Sequence, residues 1–513
     1  MDARPCSSPL EITLAISDLL GPSQLRREHF WYTEPMSSLT DETRWMDATA
    51  QAALVAKGEV SPGELLEAAI ERIERLDPAL NAVVIRWFDH ARQTAAGDLP
   101  DGPFRGVPFL IKDLFAAYAG QRISNDNVAL KNADIISETD TTLVSRFRAA
   151  GLVIAGRTNS PELGSVPTTE PLAWGPTHNP WDTTRTPGGS SGGAAAAVAS
   201  GMVPFAHASD GGGSIRIPAS CCGLVGLKPS QGRITLAPFR EESGLSVELC
   251  VSRSVRDTAG LLDAVRGPGI GDSVIAPAPD RPYIEEVGAD PGQLRIGLLD
   301  HHPQGGHVDP ECVAAVRSAA ALLESLGHHV EPAWPQALED SSFASKFGAL
   351  WSANMGVSLQ RFEDLLGRPL GDDEFEPMNR VQAEFARSFS SVDYALALSA
   401  VAQFRRALQS WWFEGWDLLL TPTVAELPLP LGTIVNNREN PMEAMVRSGR
   451  FVPFTPPFNT SGQPAINVPT EATAAGLPVG VQLVAAYGRE DVLLRVASQM
   501  EVARPWAGRT PTP

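Results

Sequence analysis

Short apolar runs alternate with helical patterns along this chain of 513 residues. Apolar runs of this length are typical of strands that are buried on both faces. The strands predicted in this way are Val83–Ile85, Val107–Ile111, Leu152–Ala155, Val203–Ala206, Leu294–Leu299, Leu418–Leu420, Ala465–Val468 and Val479–Val484. The helices predicted with them include Thr141–Ala150, Gly192–Ser200, Pro310–Leu326 and Glu490–Val502. The alternation predicts an α/β fold with a large, mostly buried sheet.

We expect one large domain over residues 45–513, preceded by an N-terminal extension over residues 1–44. In the extension, Pro22 and Pro35 interrupt a weak helical pattern, which fits an appendage better than a domain core. The domain opens with a helix whose start is marked by Ser61–Glu64, a capping box with proline at the first helical position. No internal repeat or low-complexity linker divides the rest.

The composition argues against several classes of protein. Asp and Glu number 60 against 41 Lys and Arg, so the net charge is −19. Nucleic acids and anionic membranes bind basic surfaces, so neither is expected as a partner. No run approaches the roughly 20 apolar residues of a membrane-spanning helix, and acidic residues near the start argue against a secretory signal. Five cysteines without a CxxC pattern favour reduced thiols, so a cytoplasmic protein is predicted.

Lys112 ends the apolar run Val107–Ile111 and is one of only five lysines in the chain. A lysine at the end of a buried strand loses its hydration, so it must either pair with an acid or be neutral. The adjacent Asp113 is the candidate partner in the first case. In the second case Lys112 is available as a base, and the residues alone leave both interpretations open.

Two glycine-rich segments follow Lys112 in the sequence. Thr186–Gly193 leads into Ala194–Ala197, so its glycines face the N-terminus of an alanine helix, where backbone N–H groups are free. The second segment is Asp210–Ala219, with three glycines and Ser214 in succession. Their backbone N–H groups can surround one oxyanion, and Asp210 and Arg216 are expected to pair across the loop.

Two other interpretations of these segments fit the sequence less well. The second segment lacks both the GK[ST] ending of a P-loop and the GxGxxG spacing of a dinucleotide fold, which argues against phosphate binding. Gly188–Gly192 fits GxSxG, the nucleophile elbow of α/β-hydrolases, with Ser190 as the nucleophile. That fold needs a downstream histidine, but His301, His302 and His307 lie in polar, loop-like surroundings. The same histidines lack metal-ligand spacing, so no metal site is expected.

Three patterns occur together and in order: GVPxxxKD at Gly106–Asp113, GGSSGG at Gly188–Gly193 and GGSIRxPA at Gly212–Ala219. With them, the chain resembles the amidase signature family from about Trp45 to Trp506. The family's fold is a single large α/β domain with a central mixed β-sheet covered by α-helices, and the resemblance implies that fold here.

Within the family, the chain is most similar to the 6-aminohexanoate-cyclic-dimer hydrolase branch. The segments that carry this finer resemblance are Thr168–Gly175 and Ala485–Asp491. The resemblance implies a small-molecule amide or carbamate as substrate, no cofactor, and a monomer or homodimer. A different kind of relative, the A subunit of a tRNA-dependent amidotransferase, is the main alternative.

The resemblance also implies a mechanism. Ser214 is the nucleophile, Ser190 follows a cis peptide bond and relays the proton, and neutral Lys112 is the base. The oxyanion is stabilised by the backbone N–H groups of Gly211, Gly212, Gly213 and Ser214. The supporting residues are Ser191, Asp210 and Arg216, and Ser191 is expected to cap the alanine helix.

Large apolar side chains in the segments expected to shape the pocket favour hydrophobic substrates. The residues predicted to line it are Trp174, Trp351, Met355 and Phe454. Residues of these types are usually buried for packing alone, so each of them can also be plain core.

Overall fold

The computed structural model describes residues 38–238, 245–435 and 437–511. The chain from Leu39 onward forms one compact unit. Most of the predicted extension, residues 1–37, lies outside the described residues, and its separate role stays a prediction. The short helix α1 (Leu39–Glu42) belongs to the compact unit, because the Thr40 hydroxyl donates to Glu71 Oε2 at 2.6 Å.

The strands and longer helices follow one another in the alternating order that the sequence predicts. The strands are β1 (Val83–Arg86), β2 (Pro108–Lys112), β3 (Val153–Thr158), β4 (Phe205–Asp210), β5 (Val225–Lys228), β6 (Val247–Ser252), β7 (Arg295–Leu298), β8 (His329–Pro332), β9 (Leu418–Pro422), β10 (Ala465–Ala472) and β11 (Pro478–Ala485). The further helices are α2 (Ala48–Ala56), α3 (Pro62–Leu80), α4 (Phe88–Ala96), α5 (Val128–Asn132), α6 (Thr142–Ala149), α7 (Gly192–Ala199), α8 (Arg216–Cys222), α9 (Val255–Val265), α10 (Pro310–Ser325), α11 (Phe343–Leu366), α12 (Pro377–Arg387), α13 (Ser391–Gln409), α14 (Glu443–Phe451), α15 (Pro456–Ser461) and α16 (Glu490–Ala503).

The strands form two sheets with mixed strand directions. The larger sheet has eight strands in the order β4-β6-β5-β10-β11-β9-β7-β8, and the smaller one has three in the order β1-β3-β2. β7 is parallel to both β8 and β9, whereas β10 is antiparallel to β5 and β11. Strands β2 and β4 are edge strands of different sheets and lie beside each other. The seam between these two edges holds the functional site.

Helix α7 is buried along its whole length. Its glycine and alanine residues are small, which allows the helix to approach the neighbouring backbone closely. A Cβ atom at Gly193 would lie 2.5 Å from the backbone nitrogen of Asn159, which is too close for any larger residue. The glycines at the start of α7 therefore allow its N-terminus to pack against the backbone of Asn159, directly after the GGSSGG loop.

The predicted α/β class and mixed sheet are confirmed. The capping box is also confirmed, because Ser61 Oγ accepts from Glu64 N and the Glu64 carboxylate accepts from Ser61 N. Strands β5, β6 and β8 were not predicted. The helices that were not predicted are α1, α2, α4, α5, α8, α9 and α11 to α15. Within the described residues, no helix combines the length and the apolar character needed to cross a membrane.

Candidate active site

Lys112 is the last residue of β2, and its side chain is fully buried. Three serine hydroxyls surround its amine. Nζ lies 2.6 Å from Ser190 Oγ, 3.1 Å from Ser191 Oγ and 3.1 Å from Ser209 Oγ. A neutral amine can both donate to and accept from hydroxyl groups, so this arrangement allows a proton to pass between Lys112 and a serine.

Ser190 lies in the loop before α7, and the Gly189–Ser190 peptide bond is cis, as the family resemblance predicts. Packing requires glycine at position 189, because a Cβ atom there would lie 2.6 Å from Thr168 O. The loop is thus pressed against the 168–169 segment on one side and against Lys112 on the other, which fixes the Ser190 hydroxyl next to the amine.

Ser191 occupies the N-cap position of α7, but its side chain makes no capping hydrogen bond. The predicted cap is therefore wrong. Its hydroxyl donates to Ser209 O at 3.2 Å and lies within reach of the Lys112 amine. Because Oγ is held by the β4 backbone and the lysine, it cannot also turn toward the helix N-terminus. Ser191 instead links the GGSSGG loop to β4.

Asp210, at the end of β4, forms a bidentate ion pair with Arg216, as the sequence predicts. Arg216 Nε lies 2.9 Å from Oδ2 and Nη2 lies 2.9 Å from Oδ1, with both side chains fully buried. Burial alone would raise the pKa of Asp210, but the charge and hydrogen bonds of Arg216 outweigh it and hold the pKa at about 2. Asp210 is therefore ionised near neutral pH and braces residues Gly211–Ser214, the glycine loop.

One of the predicted oxyanion donors, the Gly213 amide, is already engaged within the glycine loop. The Gly213 amide donates to Asp210 Oδ1 at 2.7 Å, so it is not available to a substrate. Gly213 has φ +138°, and a Cβ atom there would lie 2.3 Å from Thr455 Oγ1. Gly213 thus serves the shape of the loop, which leaves the amides of Gly211, Gly212 and Ser214 as the candidate oxyanion donors.

Two residues far along the chain complete this bracing and were not predicted. Asn459 Nδ2 donates to Asp210 O at 2.9 Å, and Arg216 Nη1 donates to Gln482 Oε1 at 2.6 Å. Both lie in segments that resemble the family, but a sequence gives no sign that an amide side chain there reaches a loop more than 240 positions earlier.

Ser214 opens into a cavity of about 420 Å³, which Gly212 also borders. The cavity wall is mostly apolar. Helices α11 and α14 line part of it, α13 adds Phe404, and loop segments including 164–167, 302–304 and 452–453 line much of the rest. The large apolar residues of the wall include Phe343, Phe347, Trp351, Phe404, Met445 and Val446. Phe347 and Trp351 stack with ring centroids 5.3 Å apart. The rings pack on the glycine loop, since a Cβ atom at Gly211 would lie 3.3 Å from Trp351 and one at Gly212 the same distance from Phe347.

Of the four predicted pocket residues, Trp351 lines this cavity. Met355 lines a neighbouring cavity that Trp351 also borders, whereas Trp174 and Phe454 line neither. Phe454 and Met355 are buried in two separate apolar clusters, where they serve packing. Trp174 donates from Nε1 to Ser124 Oγ at 3.1 Å, and the Lys131 amine lies 4.0 Å from its ring. Side-chain type alone could not separate pocket aromatics from core aromatics.

Comparison with known proteins decides the family. The Amidase family model matches residues 64–494.

The chain belongs to the amidase signature family.

The predicted resemblance to one branch of this family is also confirmed. The chain is 44% identical over 479 residues to 6-aminohexanoate-cyclic-dimer hydrolase of Paenarthrobacter ureafaciens, covering 91% of this chain and 96% of that protein. A solved structure of 6-aminohexanoate cyclic dimer hydrolase matches with a TM-score of 0.89 and 43% identity, over 91% of this chain and 99% of that one. A bacterial aryl acylamidase matches with a TM-score of 0.79 and 28% identity, over 91% and 98%.

As a member of the amidase signature family, the protein is a hydrolase that acts on carbon–nitrogen bonds. Family membership excludes the α/β-hydrolase interpretation of Gly188–Gly192. In the described residues, no three His, Cys, Asp or Glu side chains group as a metal ion would require. Four cysteines are buried and free, namely Cys221, Cys222, Cys250 and Cys312, and Cys6 lies outside the described residues.

Sequence reasoning missed most of the cavity wall of this amidase signature enzyme. His302, interpreted above as a solvated loop residue, lines the cavity together with Gln304. Burial, with a contribution from the neighbouring His301, lowers the pKa of His302. Helix α14 was also missed, although Met442, Met445 and Val446 follow the spacing of one helical face and could have indicated it.

Proposed function

We propose that this amidohydrolase cleaves hydrophobic amides through a seryl acyl-enzyme, with Ser214 as nucleophile, Ser190 as relay and Lys112 as base. One observation carries the proposal: the buried Lys112 amine lies 2.6 Å from Ser190 Oγ, beside the cavity that Ser214 lines. A serine hydroxyl needs a base to become nucleophilic, and Lys112 with its three hydroxyl neighbours can supply one.

In the proposed reaction, Ser214 Oγ attacks the amide carbonyl while its proton passes through Ser190 to the neutral Lys112 amine. The tetrahedral oxyanion accepts hydrogen bonds from backbone N–H groups among Gly211, Gly212 and Ser214, each of which typically contributes about 3 kcal/mol. The proton then returns through Ser190 to the leaving nitrogen, and the amine departs. A water molecule attacks the ester by the same route and releases the acid.

For the substrate, we propose aryl, cyclic or oligomeric amides with apolar groups. The mostly apolar cavity wall supports this, because it can bury hydrophobic groups but offers few hydrogen bonds. The similarity to 6-aminohexanoate-cyclic-dimer hydrolase and to an aryl acylamidase points the same way. Carbamates present the same carbonyl–nitrogen bond to Ser214, so urethane cleavage is included in the proposal.

The test is hydrolysis by the isolated chain of a panel of anilides, cyclic and linear aliphatic amides, N-aryl carbamates, acetamide and glutamine. We expect kcat/KM to rise with the apolar size of the substrate, without tRNA or ATP. Ser214→Ala should be inactive while its thermal unfolding matches that of the wild type. Hydrolysis of glutamine alone would support the amidotransferase alternative, and turnover by Ser214→Ala would overturn the acyl-enzyme.

The remaining proposals concern the whole protein. A net charge of −19 supports a protein without a nucleic acid partner, and buried free cysteines are consistent with a reducing, cytoplasmic location. We also propose a monomer or homodimer, and a catalytic domain that begins at Leu39, six residues before the predicted boundary at residue 45, and follows an N-terminal extension. Sedimentation of the purified chain tests the oligomeric state directly.

A further inference from the structure

The base and the nucleophile of the proposed mechanism lie on different sheets. Lys112 ends β2, an edge strand of the three-stranded sheet, whereas Ser214 follows β4, an edge strand of the eight-stranded sheet. Strands β2 and β4 do not share a backbone ladder, since each belongs to its own sheet. The distance between the lysine and the serines therefore depends on contacts that cross this seam.

One such contact is made by the side chain of His207. The backbone N–H of Lys112 donates to His207 Nδ1 at 3.2 Å. His207 lies on β4, two residues before Ser209, so its side chain is on the same face as the Ser209 hydroxyl that contacts the Lys112 amine. Lys112 is thus held from β4 at two points, through its backbone by His207 and through its amine by Ser209.

The surroundings of His207 fix which ring nitrogen carries the proton. Because Nδ1 accepts from the Lys112 N–H, a neutral ring must carry its proton on Nε2. Glu248 Oε2 lies 3.4 Å from Nε2, and both residues are buried. The β4–β6 register pairs Glu248 with Ser209, which places its carboxylate on the same face as His207. A carboxylate beside Nε2 favours a proton there and keeps Nδ1 free to accept.

We propose that His207, oriented by Glu248, is a positioning residue for Lys112: it bridges the two sheets and keeps the base within reach of Ser190. The ring is also packed against Phe147, with centroids 5.5 Å apart, which limits its rotation. The inference rests on the proposed function, because it assigns His207 a role through the base Lys112 and gives it no contact with substrate.

Three substitutions of His207 distinguish the effect of the Nδ1 hydrogen-bond acceptor from that of the rest of the ring. In His207→Asn, the side-chain oxygen can lie where Nδ1 lies, because both atoms are bonded to Cγ. Leucine has no acceptor, and the longer glutamine reaches toward the Nε2 position instead. We expect His207→Leu and His207→Gln to lower kcat about 10- to 100-fold with KM nearly unchanged, because a misplaced base slows the chemical step more than binding. His207→Asn should recover most of the loss.

His328 provides a matched control. It is also buried, it accepts the Leu294 N–H at Nδ1 over 3.2 Å, and its Nε2 lies 2.8 Å from Gln499 Oε1, outside the site. We expect His328→Leu to lower the unfolding temperature about as much as His207→Leu but to leave kcat unchanged. If both variants lost kcat equally, the effect of His207 would be one of general stability, and the proposal would be overturned.

Amide hydrogen exchange gives a readout that does not depend on activity. The Lys112 amide should exchange faster in His207→Leu and His207→Gln than in the wild type or His207→Asn. Equal protection of Lys112 in all four proteins, or an Asn variant as slow in turnover as the Leu variant, would overturn the inference. If Lys112→Ala keeps full activity, the proposed function itself fails. If Lys112→Ala is inactive but His207→Leu keeps the wild-type kcat, only the positioning role fails.

Discussion

In the proposed mechanism, Lys112 must be neutral before it can accept a proton from Ser190. Its amine is fully buried, and three serine hydroxyls lie within 2.6 to 3.1 Å of it. Burial penalises the charged form of an amine. A lysine is suited to this role, because an arginine side chain keeps its proton throughout the working pH range.

We therefore expect Lys112→Arg to be as inactive as Lys112→Ala in a hydrolysis assay. If Lys112 served only as a structural cation, the arginine variant would keep most of the activity. For the wild type, kcat/KM should rise with pH as the amine loses its proton and then stay level on the alkaline side. Substantial turnover by Lys112→Arg would remove the lysine from the mechanism.

Asp210 gives a prediction about stability at acid pH. Its pKa is held at about 2 in the folded protein, below the ordinary value of 3.8. A carboxylate with a lowered pKa stabilises the fold above the ordinary value, and this contribution is lost as the pH falls from about 4 toward 2. Asp210→Asn leaves Arg216 buried without its ion-pair partner, which should reduce the free energy of unfolding by about 3–5 kcal/mol at pH 7.

Urea unfolding at pH 7 and pH 3 measures this effect. The difference in the free energy of unfolding between the wild type and Asp210→Asn should be smaller at pH 3 than at pH 7. Glu67→Gln is the matched control, because Glu67 and Arg92 also form a bidentate pair but are exposed. Exposed pairs contribute little to stability, so this variant should unfold like the wild type. An equal loss in both variants would contradict the bracing role of Asp210.

At the scale of elements, α11 and α14 line part of the cavity, whereas the residues proposed to react lie elsewhere: Lys112 at the end of β2, and Ser190 and Ser214 in the loops before α7 and α8. The two parts come from different regions of the chain. The glycine loop after β4 supplies Ser214, and α14 lies more than two hundred positions later. Specificity can therefore change through these helices while Lys112, Ser190 and Ser214 keep their positions.

Gly449 offers a direct test of this separation. It lies on α14 and lines the cavity, and a Cβ atom there would meet no other atom within 4 Å. Gly449→Phe should fold normally and fill the cavity, reducing kcat/KM for bulky anilides by roughly tenfold while small amides are little affected. Gly449→Ala adds only a methyl group and should behave like the wild type. A uniform loss for all substrates would mean that α14 does not select by size.

At the scale of the whole molecule, a buried charge network links the glycine loop to the centre of the larger sheet. Lys228 ends β5 and is fully buried near Arg216 and Asp210. Burial, together with the charge of Arg216, lowers the pKa of Lys228 to about 7 from its ordinary value of 10.5. The unfolded chain then binds more protons than the folded one between these two values, so this group makes the fold more stable as the pH rises from 7 toward 10.

Lys228→Met should remove that dependence, since methionine fills a similar volume without a charge. We expect the free energy of unfolding of the variant to exceed that of the wild type at pH 6 to 7, and the difference to shrink toward pH 9. Urea unfolding of both proteins across this range measures the difference. The contributions of the other titrating groups cancel, because both proteins contain them. A difference that is constant with pH would contradict the lowered pKa of Lys228.

The α/β class could be predicted from the sequence, because apolar runs such as those of β2 and β9 indicate buried strands. The sequence also identifies Lys112, because that lysine ends an apolar run, and Ser190 and Ser214, because both lie in glycine-rich segments. Strands β5 and β6 escaped notice because polar or small residues interrupt their apolar pattern, although both are buried.

Which distant residues come into contact is visible only in the folded structure. The Gly213 amide turns to Asp210, Asn459 and Gln482 reach the loop from more than 240 positions away, and His207 joins two sheets at the seam beside Lys112. The same holds for the cavity beside Ser214, which Trp351 lines but Met355, one turn later, does not. These contacts depend on which surfaces face one another after folding, and a pattern of neighbouring residues along the chain carries no record of that.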